Sequence, residues 1–471
     1  MAGRCVLALD QGGHASRALV FDATGQVLAR VERRIGTRRE GKLKVEHSAA
    51  AVLRSLQAAA TTAVAALPAG IEIQCAALAT QRSSIACWDR DTAHPLSPVL
   101  SWQDRRAVRK VKALASQERR VRRLTGLVLS PHYGATKLAW CLKHIPAVRR
   151  AAHEGRLAAG PVASYLAAAL TEQHRCVTDP VNGFRTQLME LRTMDWSREL
   201  CELFAVPRDV LPVCVPNRHD FGTLRVAGRA IPLTVVTGDQ PAALFAQCMP
   251  EAGVAYMNIG TGAFVQALAD ADAPGLLRSV LWRDAQRSWF VLEGTVNGAA
   301  AALDTVARQL HLSPARMMRQ LPAWLTGTGE PPLFLNGVGG LAAPYWQPEF
   351  RSRFIGRGDT AACMVAVVES IAFLLHANLR RMQAHGHAFT RLRVSGGLSQ
   401  LDGLCQRLAS LSGLRVERPA LHEATAMGLA RLAGGLAEAL PAGYTNFEPR
   451  RDAALLGREQ RWRQALAAAL R

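Results

Sequence analysis

The sequence predicts an α/β protein of two domains with similar topology and a cleft between them. Three observations lead there. The chain has 471 residues and is 49% hydrophobic, which is more apolar material than one core of ordinary size uses. Strand-like apolar segments alternate with helix-patterned runs along its length. A layout of strand, glycine-containing tip and strand at 6–22 returns at 253–270, in arrangement though not in identity. The boundary is expected near residue 245, giving domains 1–245 and 246–471.

Taken in order, CVLALD reads as a buried strand, RALVFD as a second and QVLARVERRI as a third. The turn D-A-T-G at 22–25 joins the last two, so the chain opens as an antiparallel meander with QGGHAS at its first tip. Residues 49–67 are alanine-rich with helical apolar spacing, and IQCAALAT (73–80) is a strand ending at Gln81-Arg82-Ser83-Ser84. Helices are expected at 104–116, at 134–143 and around 161–170. IPLTVVTGDQ (231–240) is a strand that ends in an acidic group and is followed by the helical PAALFAQCM. In the second half, NGAAAALDTVARQL (297–310) has a helical pattern, while FLNGVGG (334–340) and LRVSGG (392–397) are apolar runs ending in glycine.

Composition narrows the function. The apolar stretches 230–236 and 361–375 are broken by polar residues before the roughly 20 apolar positions a membrane span needs, so no membrane is expected. The apolar run after MAGR ends at Asp10, which fits a buried first strand rather than a signal peptide. Ten scattered cysteines without a C-x-x-C pair suggest a reducing, cytoplasmic setting and no zinc or iron–sulfur site. The formal net charge is +20, yet six of the 57 basic residues are lysines and the arginines are spread along the chain. That distribution attracts anions in general and does not mark a nucleic-acid face.

Three glycine loops follow strand-like segments: Gly12-Gly13, Gly260-Thr261-Gly262 and Gly396-Gly397. Glycine lets backbone amides approach an anion closely, so three such loops can enclose a polyphosphate, although hairpin tips use glycine in any case. None is a Walker A loop or a G-x-G-x-x-G fingerprint. Asp10 and Asp239 end buried strands, where a carboxylate is costly unless it caps a turn or serves a ligand. One could take a hydroxyl proton and the other hold Mg²⁺, and the residues alone leave the assignment open. Trp102-Gln103-Asp104-Arg105-Arg106 reads either as a helix start capped by Asp104 or as an aromatic and charged face for a polyhydroxylated ligand, with His132-Tyr133 a second such pair.

These blocks, with ATQRSS (79–84), TDPVNGFRT (178–186), GDQPAALFAQ (238–247), NIGTGAFV (258–265), LEGTVNG (292–298), GGLAAPYW (339–346) and PALHEATAMGLA (419–430), resemble the FGGY family of carbohydrate kinases over residues 4–435. Within it, the motifs are most similar to those of the glycerol kinase branch. The resemblance implies two actin-like domains of the ribonuclease H type with an active-site cleft between them, the first binding sugar and the second nucleotide. It implies ATP and Mg²⁺ as cofactors, Asp239 as catalytic base and Asp10 as the metal carboxylate. The nucleotide side would be Gly12, Gly13, Arg17, Gly260, Thr261, Gly262, Gly340, Gly396 and Gly397. The acceptor side would be Arg82, Ser83, Trp102, Asp104, His132, Gln240 and Phe264.

The chain departs from that pattern at telling places. Gly13 and His14 replace two threonines of the first phosphate loop. Ser83 stands where the glycerol kinase pattern has a glycerol-binding glutamate, and His132 where it has a tyrosine. Ser395 replaces an aspartate, and Leu401 an asparagine near the adenine. The expected activity is phosphorylation of a small sugar or polyol other than glycerol. The alternatives are a glycerol kinase with an altered pocket, or a non-catalytic sensor that keeps sugar or nucleotide binding. The expected partners are a small sugar or polyol and, as an option, a second copy in a homodimer, with no nucleic acid.

Overall fold

A computed structural model describes residues 4–327, 329–420, 423–434, 436 and 443–471. The chain divides into two compact units that are not two contiguous halves. The first comprises Met1–Met249, Ser279–Phe290 and His422–Pro441; the second comprises Pro250–Arg278, Val291–Leu421 and Ala442–Arg471. A single cut near residue 245 misses the two returns to the first unit.

The sheet of the first unit has six strands in the order Thr223–Val226, Arg229–Gly238, Glu72–Thr80, Arg4–Gln11, Ala15–Phe21, Val27–Arg34. The last three form the antiparallel meander read from the sequence. Arg4–Gln11, Glu72–Thr80 and Arg229–Gly238 run parallel to one another. Helix Ala49–Ala65 covers one face, because its Val52, Leu56, Ala59, Ala60 and Ala63 fall on one helical stripe and are buried beside Leu7, Leu9, Ala18 and Val20. Ser48 caps it, accepting from the Ala51 amide at 3.3 Å. A second, five-stranded sheet (Arg38–Glu40, Lys44–His47, Val99–Leu100, Ile85–Asp89, Leu157–Pro161) supports the 83–84 and 101–106 segments.

The second unit repeats the plan. Strands Ala263–Leu268, Val254–Ile259, Arg391–Ser395, Arg415–Pro419 and Tyr444–Phe447 lie in that order, with residues 291–296 pairing outside Ala263–Leu268. Val254–Ile259 is antiparallel to Ala263–Leu268 and parallel to Arg391–Ser395. An antiparallel meander flanking parallel strands, present twice, is the ribonuclease H-like arrangement of actin-like proteins.

Two sequence expectations need correction. The helix expected over 104–116 begins only at Val108 and ends at Ala113; its N-cap is Ala107, which has no side-chain acceptor, while Asp104 binds Arg106. The apolar run from 361 continues through one 24-residue helix, Thr360–Gln383, long and apolar enough by length and composition to cross a membrane. In the structure 78% of its apolar window is buried, and Glu369 within it is paired to Arg458 at 2.7 Å and Arg407 at 3.2 Å. It is the core helix of the second unit.

Candidate active site

In the first unit, the parallel strands place their ends at one level. Gln11 and Gly238 both lie opposite Thr80, and Asp10 lies opposite Ala79. Gly12, Gln81, Arg82 and Asp239 therefore leave the sheet along one edge, the carboxyl end where α/β sheets bind ligands. The register alone brings together residues up to 229 positions apart in sequence.

Asp10 is buried, and burial followed by the charge of Asp239 pushes its carboxyl up to about 7. Arg17 opposes this from 3.3 Å while also pairing with Glu32 at 2.8 Å. Asp239 is half-buried at the start of helix Asp239–Leu244, with its Oδ1 taking the Gln240 amide at 2.8 Å. Burial raises its carboxyl, and Arg82 and Arg185 pull it back down. A carboxyl made more basic by burial, with guanidinium groups opposing that shift, suits a general base. Thr425 reaches the Asp239 carbonyl at 3.4 Å from helix Ala424–Leu432.

The acceptor-side residues of this unit come together except for one. Arg82 is buried and donates to the Gln240 side chain. Ser83 turns the chain with φ 63°, and its hydroxyl is buried without a hydrogen-bond partner. Trp102 is half-buried, anchored through its amide to Ser84 Oγ at 3.0 Å, and meets the His132 ring edge-on at 5.8 Å. Burial, then Arg105, Lys137, Arg185 and Arg82, holds His132 well below its ordinary range, so it is a neutral imidazole at pH 7. Asp104 is the exception. It is fully buried, bound by Arg106 at 2.8 Å and by the Val45 amide at 2.7 Å, and has no carboxylate oxygen left for a ligand. Arg106 is tied as well, to Glu46 at 2.6 Å and over the Trp140 ring at 4.4 Å.

At the first tip, the Gly12 amide closes on the Ala15 carbonyl at 2.9 Å, and the carbonyl of the exposed His14 accepts the Ile35 amide at 2.9 Å. In the second unit, Gly260, Thr261 and Gly262 form the corresponding tip. The Gly260 and Thr261 carbonyls take the amides of Ala299, Ala300 and Ala301 at 3.0–3.1 Å, which locks the loop and leaves the exposed Thr261 side chain free. Gly396 has φ 89°, and a Cβ there would lie 2.7 Å from the Ile259 carbonyl, so only glycine lets this loop sit against the strand leading into the tip. The Asn297 amide holds the Gly339 and Gly340 carbonyls at 2.9 and 3.1 Å. Gly397 is exposed. Phe264, half-buried and paired with Asn258 and Thr295, belongs to this unit and not to the one holding the other acceptor candidates.

Sequence reading missed Lys137 and Arg185. Arg185 lies in the TDPVNGFRT block and acts on both Asp239 and His132. Lys137 sits among apolar residues in helix Gly134–His144, where a lone lysine looks like a surface position. It is in fact fully buried.

Paired carboxylates at strand ends and glycine tips on two ribonuclease H-like units define an actin-like phosphotransferase. The models of the FGGY family of carbohydrate kinases match at residues 5–246 for the N-terminal domain and 255–437 for the C-terminal domain. A glycerol kinase of Gluconobacter oxydans is 35% identical over 91% of this chain and 86% of its own length. In fold, the chain is similar to Plasmodium falciparum glycerol kinase with ADP (TM-score 0.89, 20% identity, 100% and 99% of the two chains). It is likewise similar to Rhodospirillum rubrum xylulose kinase (TM-score 0.85, 17% identity, 99% of each chain). The chain belongs to the FGGY family of carbohydrate kinases, and is an ATP-dependent phosphotransferase acting on a sugar or polyol.

Proposed function

We propose that this kinase transfers the γ-phosphoryl group of ATP to a hydroxyl of a small polyol or sugar other than glycerol. The observation behind the choice of acceptor is Ser83, whose buried hydroxyl has no partner at the place where the glycerol kinase pattern carries a carboxylate. Asp239 takes the proton of the attacking hydroxyl as that oxygen bonds to the γ-phosphorus and the bond to the bridging oxygen of ADP breaks. Asp10 would hold a divalent cation: a buried carboxyl raised to about 7 would regain its charge beside one. Mg²⁺ bound there would neutralise phosphate charge. Domain 1–245 holds the acceptor through Arg82, Ser83, Trp102, His132 and Gln240, and domain 246–471 holds the nucleotide through its glycine loops. Gly12, Gly13 and Arg17 face the phosphates.

The test is ATP-dependent phosphorylation across glycerol, erythritol, xylitol, ribulose, xylulose and sedoheptulose under one set of conditions. An unmet polar pairing costs about 1–3 kcal/mol, so glycerol should trail the best four- to seven-carbon acceptor roughly 5–150-fold in kcat/KM. The curated relatives named glycerol kinase favour a second reading, glycerol itself, and a tenfold lead for glycerol would establish it.

Thr261→Val tests the nucleotide side. Losing a hydrogen bond to a charged group costs about 1.5–3 kcal/mol, which predicts a fall of roughly 10–150-fold in kcat/KM for ATP with the acceptor KM unchanged. An unaltered value for ATP at saturating acceptor would remove the Thr261 side chain from the phosphate site.

A further inference from the structure

The acceptor end of the first unit is assembled around positive charge. The Lys137 ammonium donates to three backbone carbonyls, those of Ser83 at 2.8 Å, Ser101 at 3.0 Å and His132 at 2.8 Å. The Arg105 guanidinium donates to the carbonyls of Trp102 at 2.7 Å and Asp104 at 3.2 Å. Among the described residues, neither cation forms an ion pair. The nearest carboxylate, Asp104, is spent on Arg106 and the Val45 amide, and Glu46 is spent on Arg106 as well. Further in, Arg82 and Arg185 act on His132 in the same sense as Arg105 and Lys137.

Against this charge stands a polar group with nothing to bind. Ser83 is 4% exposed, and its hydroxyl lacks a partner. Its own carbonyl is one of the three that Lys137 holds, so the hydroxyl is fixed at the cationic end. A buried donor without an acceptor is costly; the charge of Asp104 favours both Lys137 and Arg105, but its oxygens are bound by Arg106 and the Val45 amide, so an anionic ligand group would satisfy the Ser83 hydroxyl and add counter-charge at the same end.

We propose that the acceptor is a polyhydroxy acid, with its carboxylate seated at Arg105 and the Ser83 hydroxyl and its reacting hydroxyl at Asp239. This rests on the kinase reading above and narrows its substrate class. The loop carrying Ser83, the segment carrying Trp102 and Arg105, and the His132 turn are the three that Lys137 ties together, so the seat is preformed. A carboxylate at position 83 would put the negative charge on the protein and repel an acid. Serine moves that charge to the ligand, which selects for acids and against neutral polyols.

Matched pairs decide it: glycerol and glycerate, erythritol and erythronate, xylitol and xylonate, each with ATP and the full-length protein. The acid should exceed its alcohol at least tenfold in kcat/KM in the best pair. Its KM should climb with ionic strength while the alcohol's does not. Ser83→Glu should reverse the preference by at least 100-fold, and Arg105→Gln, which also loses its hold on the Trp102 carbonyl, should weaken the acid at least tenfold more than its alcohol. Alcohols equal to or better than their acids would overturn the proposal and leave the kinase standing. Absence of turnover on every acceptor would instead sink the kinase reading, and calorimetric titration of the same pairs then decides the seat. Acid binding that disappears in Arg105→Gln supports it, and acids that bind no better than alcohols refute it.

Discussion

Asp239→Asn is expected to lower kcat by about 10²–10⁴-fold while ATP Kd stays within about twofold of wild type. The amide keeps the shape and can still accept from the Gln240 amide, but it cannot take a proton. Nothing else at the sheet edge can substitute cleanly. Asp10 is paired with Arg17, and His132, though neutral, sits with Trp102 and the cations of the acceptor end. A secondary effect follows from the coupling of the two carboxylates. With the charge of Asp239 gone, the Asp10 carboxyl should fall below about 7, because one of the causes that raises it is removed. NMR titration of Asp10 in the metal-free variant reads this directly. A variant that keeps more than about a third of wild-type kcat would mean that Asp239 is not the base.

The second large effect is expected at Gly428, which touches no ligand. Helix Ala424–Leu432 crosses helix Asp239–Leu244 so closely that a Cβ on Gly428 would lie 1.8 Å from the Ala242 carbonyl oxygen. Backbone cannot rotate out of the way as a side chain can, so Gly428→Ala has to push the two helices apart. Alanine gains about 1 kcal/mol of helix propensity over glycine, against about 1–3 kcal/mol or more for overpacking. Asp239 opens the displaced helix, and a shift near 1 Å at a reacting group costs roughly 100-fold. We expect kcat to fall about 100-fold with a lowered Tm, and acceptor KM to change less. Wild-type kcat in a normally folded Gly428→Ala protein would show that the helix contact does not set the position of Asp239.

Much of the fold could be read locally. The opening meander, its repeat at 253–270 and the helices at 49–65 and 134–144 follow from apolar spacing and turn residues that act over a few positions. Asp10, Asp239 and the glycine tips stood out for the same reason: a carboxylate or a glycine at the end of an apolar run is a local anomaly. Asp104 misled because a strand–loop junction and a helix cap place an aspartate before the same kind of sequence. Its partners are Arg106, two positions on, and the Val45 amide, 59 positions away.

The sequence by itself determined most of the segments that become strands and helices and which unusual residues mark their ends, since these depend on neighbours in the chain. The tertiary structure decided which ends share an edge. Sheet register set Asp10 beside Asp239, and the returning segments 279–290 and 423–434 completed the first unit. It also decided the charge of the acceptor end. Lys137 reads as an ordinary helix position until carbonyls from 5, 36 and 54 residues away are seen to converge on it. Electrostatic environment depends on distance through space and on exclusion of water, and neither is written in the order of residues.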